Sequence, residues 1–207
     1  MRLTKRIKIL ISGSLFVLSA VLALLAGKLS CALAALAMGV SAVGDALLAG
    51  YPGCFAEIKN RLTKGGLVFL AAHILYILAL IASTGKSARA LLPDFARPFS
   101  LFFGLTALHG ALFYFRARSP VPRAFFAAAF FYLLTAGAHA AAAIAVFGQS
   151  GGGYALNVAG TLLFYLSDAI LLARKYGAVQ GKRVSSLIWC TYVPSQLCLI
   201  IGFYLTR

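Results

Sequence analysis

Long apolar runs separated by short polar segments dominate this chain, and they predict an all-α, polytopic transmembrane helix bundle. A helix needs about twenty predominantly apolar residues to cross the hydrocarbon core of a bilayer. Seven runs are long enough, and they cover residues 7–26, 30–50, 65–83, 98–115, 124–147, 153–173 and 184–206. The segments between them hold most of the charge and most of the prolines. We therefore expect a single integral membrane helical domain over residues 1–207.

Two segments have a less regular pattern. The basic start MRLTKRIK before an apolar run is similar to a secretory signal, but Lys28 separates that run from Cys31 and argues against a lipoprotein cleavage site. We expect the first run to be retained as a helix. The segment TGKSARALLPDFARP, before the fourth run, contains Pro93 and Pro98 and could hold a short interfacial helix.

Composition and charge agree with a membrane protein and give it an orientation. The chain is 62% hydrophobic and 11% charged, with a formal net charge of +15. Fourteen of its nineteen Lys and Arg residues fall in segments that seven spans would place on the same side as the N-terminus. The positive-inside rule makes that side cytoplasmic and puts the C-terminus outside. We expect the inner membrane of a bacterium, and no nucleic-acid partner, because the charge lies between apolar runs.

Two aspartates lie inside apolar runs, where a carboxylate is least easily tolerated. The chain has only four acidic residues, and Glu57 and Asp94 fall in polar connections. Asp45 and Asp168 each lie about five residues from the cytoplasmic end of a predicted span, or roughly 8 Å inside the boundary at 1.5 Å per residue. Acidic residues within membrane spans generally mark functional sites. The matching depth predicts one polar site with two acids.

Other polar residues in the spans fall at helical spacing and could join that site. His73 and Tyr76 share a face of the third run, and Tyr192 and Gln196 share a face of the seventh. In the sixth run, a stripe at helical spacing leads to Asp168 and consists of Asn157, Thr161 and Tyr165. In the second run, Ser41 lies one turn before Asp45. Polar side chains also hold membrane helices together, so this second role stays open for them. We interpret His109 and His139 as packing or satisfied polar residues.

Four motifs in order resemble those of the YhhN-like membrane proteins, the family that includes the lysoplasmalogenases. They are SAVGDALLAG, GGLVFLAAHILY, GTLLFYLSDAILLA and TYVPSQLCLI. Members of that family usually have eight spans, so one N-terminal span is apparently absent here. The resemblance implies a polar site with catalytic Asp45 and Asp168. It also implies a set of substrate-binding residues, which are His73, Tyr76, Ser167, Tyr192 and Gln196.

The resemblance further implies a hydrolase that cleaves the vinyl ether bond of lysoplasmalogen, giving a fatty aldehyde and a glycerophospho-base. Its partner would be a lysophospholipid taken from the membrane. Two carboxyl groups in a low-dielectric site suit that chemistry, since one can donate a proton and the other can stabilise the cation and activate water. A basic rim that includes Lys64, Arg174 and Lys175 could attract the phosphate. No residue pattern implies a cofactor or a metal site.

Two other functions use paired membrane acids. Intramembrane aspartyl proteases carry a GxGD motif, but this chain has Ala42 two residues before Gly44, and Asp168 follows Ser167 rather than a tyrosine. A small-molecule or lipid transporter, or a lipid-binding membrane protein, could use the same acids for proton coupling. That alternative remains open at the level of the sequence.

Overall fold

The computed structural model describes residues 4–56, 60–116, 122–175, 179–181 and 183–206, and nearly all of them are helical. Glu57 lies outside the described residues. The long helices, in chain order, are α1 (Lys5–Ala26), α2 (Leu29–Ala49), α4 (Arg61–Thr84), α5 (Ala88–Arg116), α6 (Arg123–Ser150), α7 (Ala155–Lys175) and α8 (Val184–Leu205). A short helix α3 (Gly53–Ala56) follows α2, and a 3-10 turn (Gly152–Tyr154) precedes α7.

The predicted helical bundle is confirmed. In the described part of the chain, seven helices are long and apolar enough to cross a membrane, and they correspond one to one with the predicted runs. The chain is therefore an integral membrane protein. The prediction of a short interfacial helix before the fourth run is wrong, because α5 begins at Ala88 and continues through Pro93 and Pro98. These prolines lie near the exposed start of α5, where water can satisfy the carbonyls that lose an amide partner.

The most extensive helix contact joins α2 and α4, and glycines on both helices allow it. A Cβ atom on Gly44 would lie 2.7 Å from the ring of Phe69, and one on Gly65 would lie 2.8 Å from the side chain of Leu48. Small residues at membrane helix interfaces let backbones approach closely in this way. The crossing packs Gly44 against Phe69 of α4, and the next residue, Asp45, lines the same cavity as Phe69.

Successive long helices alternate in direction, so that the starts of α1, α4, α6 and α8 lie with the ends of α2 and α7. Residues from all six of these termini line one cavity. We call this side of the bundle the cavity end. Below the cavity the bundle is filled by large buried side chains, including Tyr76, Leu80, Leu199 and Phe203. The fold therefore has one open polar end above a closed core.

Candidate active site

A cavity of about 710 Å³ opens at the cavity end, and both predicted aspartates line it. Asp45 comes from the last turns of α2 and Asp168 from the last turns of α7. Their residues are only 8% and 4% exposed. The two carboxyl groups are close enough to interact electrostatically. Two helices that are distant in the sequence therefore bring both acids to one site.

Asp45 is held from the side of α1. The Ser12 hydroxyl donates a 2.5 Å hydrogen bond to Asp45 Oδ2, and Ser12 is fully buried. The Lys8 ammonium, one turn earlier on α1, interacts with the same carboxyl electrostatically. The Tyr192 phenol of α8 also faces Asp45, yet its hydroxyl makes no regular hydrogen bond to any described residue. The Tyr192 hydroxyl thus lies beside the Asp45 carboxyl on the wall of the cavity.

Asp168 is held by a chain of two histidines. His73 Nε2 lies 3.1 Å from Asp168 Oδ2, and His73 Nδ1 lies 3.1 Å from His139 Nδ1. Both histidines are fully buried. A neutral imidazole donates from one nitrogen and accepts at the other, so the hydrogen bonds that join Asp168, His73 and His139 run in one direction at a time. Tyr132 of α6 packs edge-on against His73 and turns its phenol toward Asp168.

The mouth of the cavity is basic. Lys8, Arg61, Arg174 and Lys175 all line it, and no described acid other than the two aspartates does so. The Lys8 ammonium lies 5.2 Å from the centre of the Trp189 ring, which keeps it at the mouth by a cation–π contact. Lys64, which we expected at this rim, is exposed and does not line the cavity. Such a mouth is suited to an anion such as a phosphate.

A family model places this architecture among known proteins. The model of the YhhN family matches residues 4–203, nearly the whole chain. The chain belongs to the YhhN family. Comparison with curated proteins and with solved structures gave no match. The match to the YhhN family takes in both aspartates and all six helices that line the cavity.

The residues predicted to bind substrate lie at two depths in this YhhN-family protein. Ser167 and Tyr192 line the cavity with the aspartates, although the Ser167 hydroxyl donates to the carbonyl of Ile188 at 3.2 Å. His73 lies behind Asp168. Tyr76 and Gln196 lie deeper, with a 2.8 Å hydrogen bond from the Tyr76 hydroxyl to Gln196 Oε1, and neither lines the cavity. They support the site from below.

The polar core beneath the cavity contains several groups without a partner. Ser41 Oγ, His139 Nε2 and Gln196 Nε2 are buried and make no hydrogen bond to any described residue. His139 stacks on Tyr76, with ring centres 5.2 Å apart and planes 4° apart. A buried polar group without a partner costs free energy, and ordered water is the usual remedy. These groups of the polar core can therefore form hydrogen bonds with water molecules or take part in proton transfer.

Sequence reasoning missed three residues of the site. Ser12 lies in a run that we interpreted only as a span, and Tyr132 lies in an apolar segment without any other signal. His139, which we interpreted as a packing or satisfied polar residue, does stack on Tyr76 and bond His73, but the sequence did not show that this bond connects it to Asp168. Spacing within α6 could not have shown this, since the partner lies on α4. The only sequence signal was a histidine in the middle of a long alanine-rich helix.

Other polar residues that we considered lie elsewhere. Tyr165 pairs with Thr106 of α5 at 3.1 Å, and Thr161 donates to the carbonyl of Val158 within α7. His109 packs against Phe113, in a separate small cavity between α5 and α6. In the described chain, no group of three or more His, Cys, Asp or Glu residues could hold a metal ion. The described site thus offers two carboxyl groups, imidazoles, hydroxyls and a basic mouth.

Proposed function

We propose that this protein hydrolyses the vinyl ether bond of lysoplasmalogen, releasing a fatty aldehyde and a glycerophospho-base. The observation that carries the proposal is the pair of buried aspartates on one cavity with a basic mouth, in a member of the YhhN family. A single-chain phospholipid has an anionic head and an apolar tail, and the labile bond lies between them. The cavity has matching features, with cations at its mouth and carboxyl groups below.

The chemistry begins with a proton transfer to carbon and continues with proton transfers from water and to the leaving oxygen. An acid protonates the alkene carbon distal to the ether oxygen, which leaves an oxocarbenium ion at the carbon bonded to oxygen. Water adds to that carbon and loses a proton to a base, giving a hemiacetal. The hemiacetal hydroxyl then gives up its proton as its carbon becomes the aldehyde carbonyl, the carbon–oxygen bond to glycerol breaks, and the glycerol oxygen takes up a proton. Glycosidases use two carboxyl groups in the same way on a related cation.

The surroundings of the two acids favour one assignment of roles. The Ser12 hydroxyl holds Asp45 Oδ2 in place by a hydrogen bond, and the Lys8 ammonium lies nearby. Asp45 serves as the base and stabilises the oxocarbenium ion. Asp168 adjoins His73, which can return a proton to it after each turnover through the His139 pair. It serves as the acid.

The remaining residues orient the substrate. Arg61, Arg174 and Lys175 bind the phosphate, because guanidinium and ammonium groups donate several hydrogen bonds to its oxygens. Tyr192, with a hydroxyl that has no regular partner among the described residues, binds water or a glycerol oxygen beside Asp45. Tyr76 and Gln196 keep the floor of the site in place. The excess of basic residues at this end supports an orientation with the mouth on the cytoplasmic side of a bacterial inner membrane.

The test uses purified protein in detergent with a 1-alkenyl lysophospholipid and its 1-acyl analogue, and mass spectrometry detects the products. We expect aldehyde from the vinyl ether and no fatty acid from the ester. Fatty acid from the ester alone would make the protein a lysophospholipase. If neither product forms and a pH gradient drives uptake of the lipid into proteoliposomes, the protein is a transporter.

A further inference from the structure

A second cavity, of about 80 Å³, adjoins the acidic one between α4, α6 and α7. The two cavities share part of their walls, and the shared residues are Leu48, Leu62, Thr63, Phe69, Phe125 and Leu171. Apart from Thr63 and Tyr132, its lining consists of apolar side chains and Gly66. A route of apolar character therefore leads from the two aspartates toward the side of the bundle.

This side cavity extends to the surface that faces the bilayer. Leu67 belongs to its lining and is 63% exposed on the outside of α4. Gly66 leaves the passage open, because a Cβ atom at this position would meet nothing within 4 Å. By contrast, the side chain of Leu48 occupies the space beside the adjacent Gly65. Of these two neighbouring glycines, only Gly66 borders empty space.

We propose that the side cavity binds the first carbons of the hydrocarbon chain of a single-chain lipid while the rest of the chain extends into the bilayer. The hydrocarbon chain of the proposed substrate begins at the vinyl ether bond that is cleaved. When the reacting carbons lie at Asp168, the rest of this hydrocarbon chain must leave the acidic cavity along an apolar path. The basic mouth is unsuited to hydrocarbon, whereas the side cavity starts at Phe69, next to the acids. The identity of the cleaved bond rests on the proposed function; binding of the chain does not.

Gly66→Leu fills the passage without touching the acids, and Gly104→Leu is its matched control. Gly104 lies within α5, is exposed and also has nothing within 4 Å of a Cβ atom. With a sixteen-carbon alkenyl lysophospholipid, we expect Gly66→Leu to lower kcat/KM at least about tenfold, by analogy with other filled apolar pockets. A propenyl ether with the same head group should be cleaved within about twofold of the wild-type rate by both variants. Equal losses on both substrates would overturn the proposal.

A second measurement needs no hydrolysis. A saturated 1-alkyl lysophospholipid with a diazirine on the early carbons of its chain is photolysed with the wild-type protein, and labelled peptides are mapped by mass spectrometry. We expect labels on the α4 and α6 lining, near Gly66 and Ala128, which Gly66→Leu abolishes and Gly104→Leu retains. Labels confined to α1 and α5 would overturn the proposal. If the wild-type protein labels as expected but cleaves no vinyl ether, the chain site holds and the proposed reaction fails.

Discussion

The two walls of the acidic cavity hold their carboxyl groups in different ways. On the wall formed by α1 and α2, Asp45 accepts a hydrogen bond from one hydroxyl and lies near a lysine. On the wall formed by α4, α6 and α7, Asp168 adjoins two buried imidazoles in series. The first arrangement holds its carboxyl group in a fixed position, and in the proposed mechanism the second delivers and recovers protons. Two identical side chains would then take different roles because of their neighbours, as in paired-carboxylate enzymes.

The largest effect should come from removing either carboxylate. Asp45→Asn and Asp168→Asn should each lower kcat by about a thousandfold or more, within the range for general acid–base catalysis. Both proteins should remain folded in the membrane, because asparagine is nearly isosteric with aspartate. Full activity in either purified variant would refute the two-acid mechanism.

The pH dependence of the residual activity distinguishes the role of Asp45 from that of Asp168 in these two variants. The residual activity of Asp45→Asn should lose the decline at low pH that protonation of a base causes. The residual activity of Asp168→Asn should lose the decline at high pH that deprotonation of an acid causes. The reverse pattern would exchange the roles of the two aspartates.

The next largest effect should come from the histidine chain. His73→Gln keeps a donor toward Asp168 but cannot pass a proton on, so we expect kcat to fall about fiftyfold with little change in KM. His139→Gln should cost about tenfold. Both should raise the solvent deuterium isotope effect on kcat. His109→Gln is the control, because that histidine lies outside the site, and it should leave all three quantities unchanged. A similar loss in His109→Gln would point to general destabilisation.

A smaller effect should follow from the α1 wall. Ser12→Ala removes the donor to Asp45, and the loss of one hydrogen bond, about 1 kcal/mol, corresponds to about a fivefold fall in kcat/KM. Ser19→Ala removes a second buried serine two turns along the same helix and should have no effect on kinetics. The comparison of the two variants in the same assay shows whether α1 contributes to the site. Equal rates for Ser12→Ala and wild type would remove α1 from the mechanism.

The sequence was enough to predict the seven spans and to single out the two aspartates that line one cavity. Length and hydropathy set the first, and the cost of a carboxylate in hydrocarbon draws attention to the second. It was not enough for Ser12 or His139, since each acts across a contact between helices that are far apart in the chain. Tyr76 and Gln196 were predicted to bind substrate, but they lie below the cavity, and that depth depends on how α4 and α8 are rotated in the bundle.

The most direct test of the two-acid mechanism is hydrolysis of lysoplasmalogen in heavy water, with rapid trapping of the aldehyde before it exchanges. Proton transfer from an enzyme acid to the distal alkene carbon predicts one deuterium at the carbon next to the aldehyde group. Asp168→Asn should form this product at a rate at least about a thousandfold lower. Aldehyde without deuterium at that carbon, or equal rates in Asp168→Asn and wild type, would contradict the mechanism.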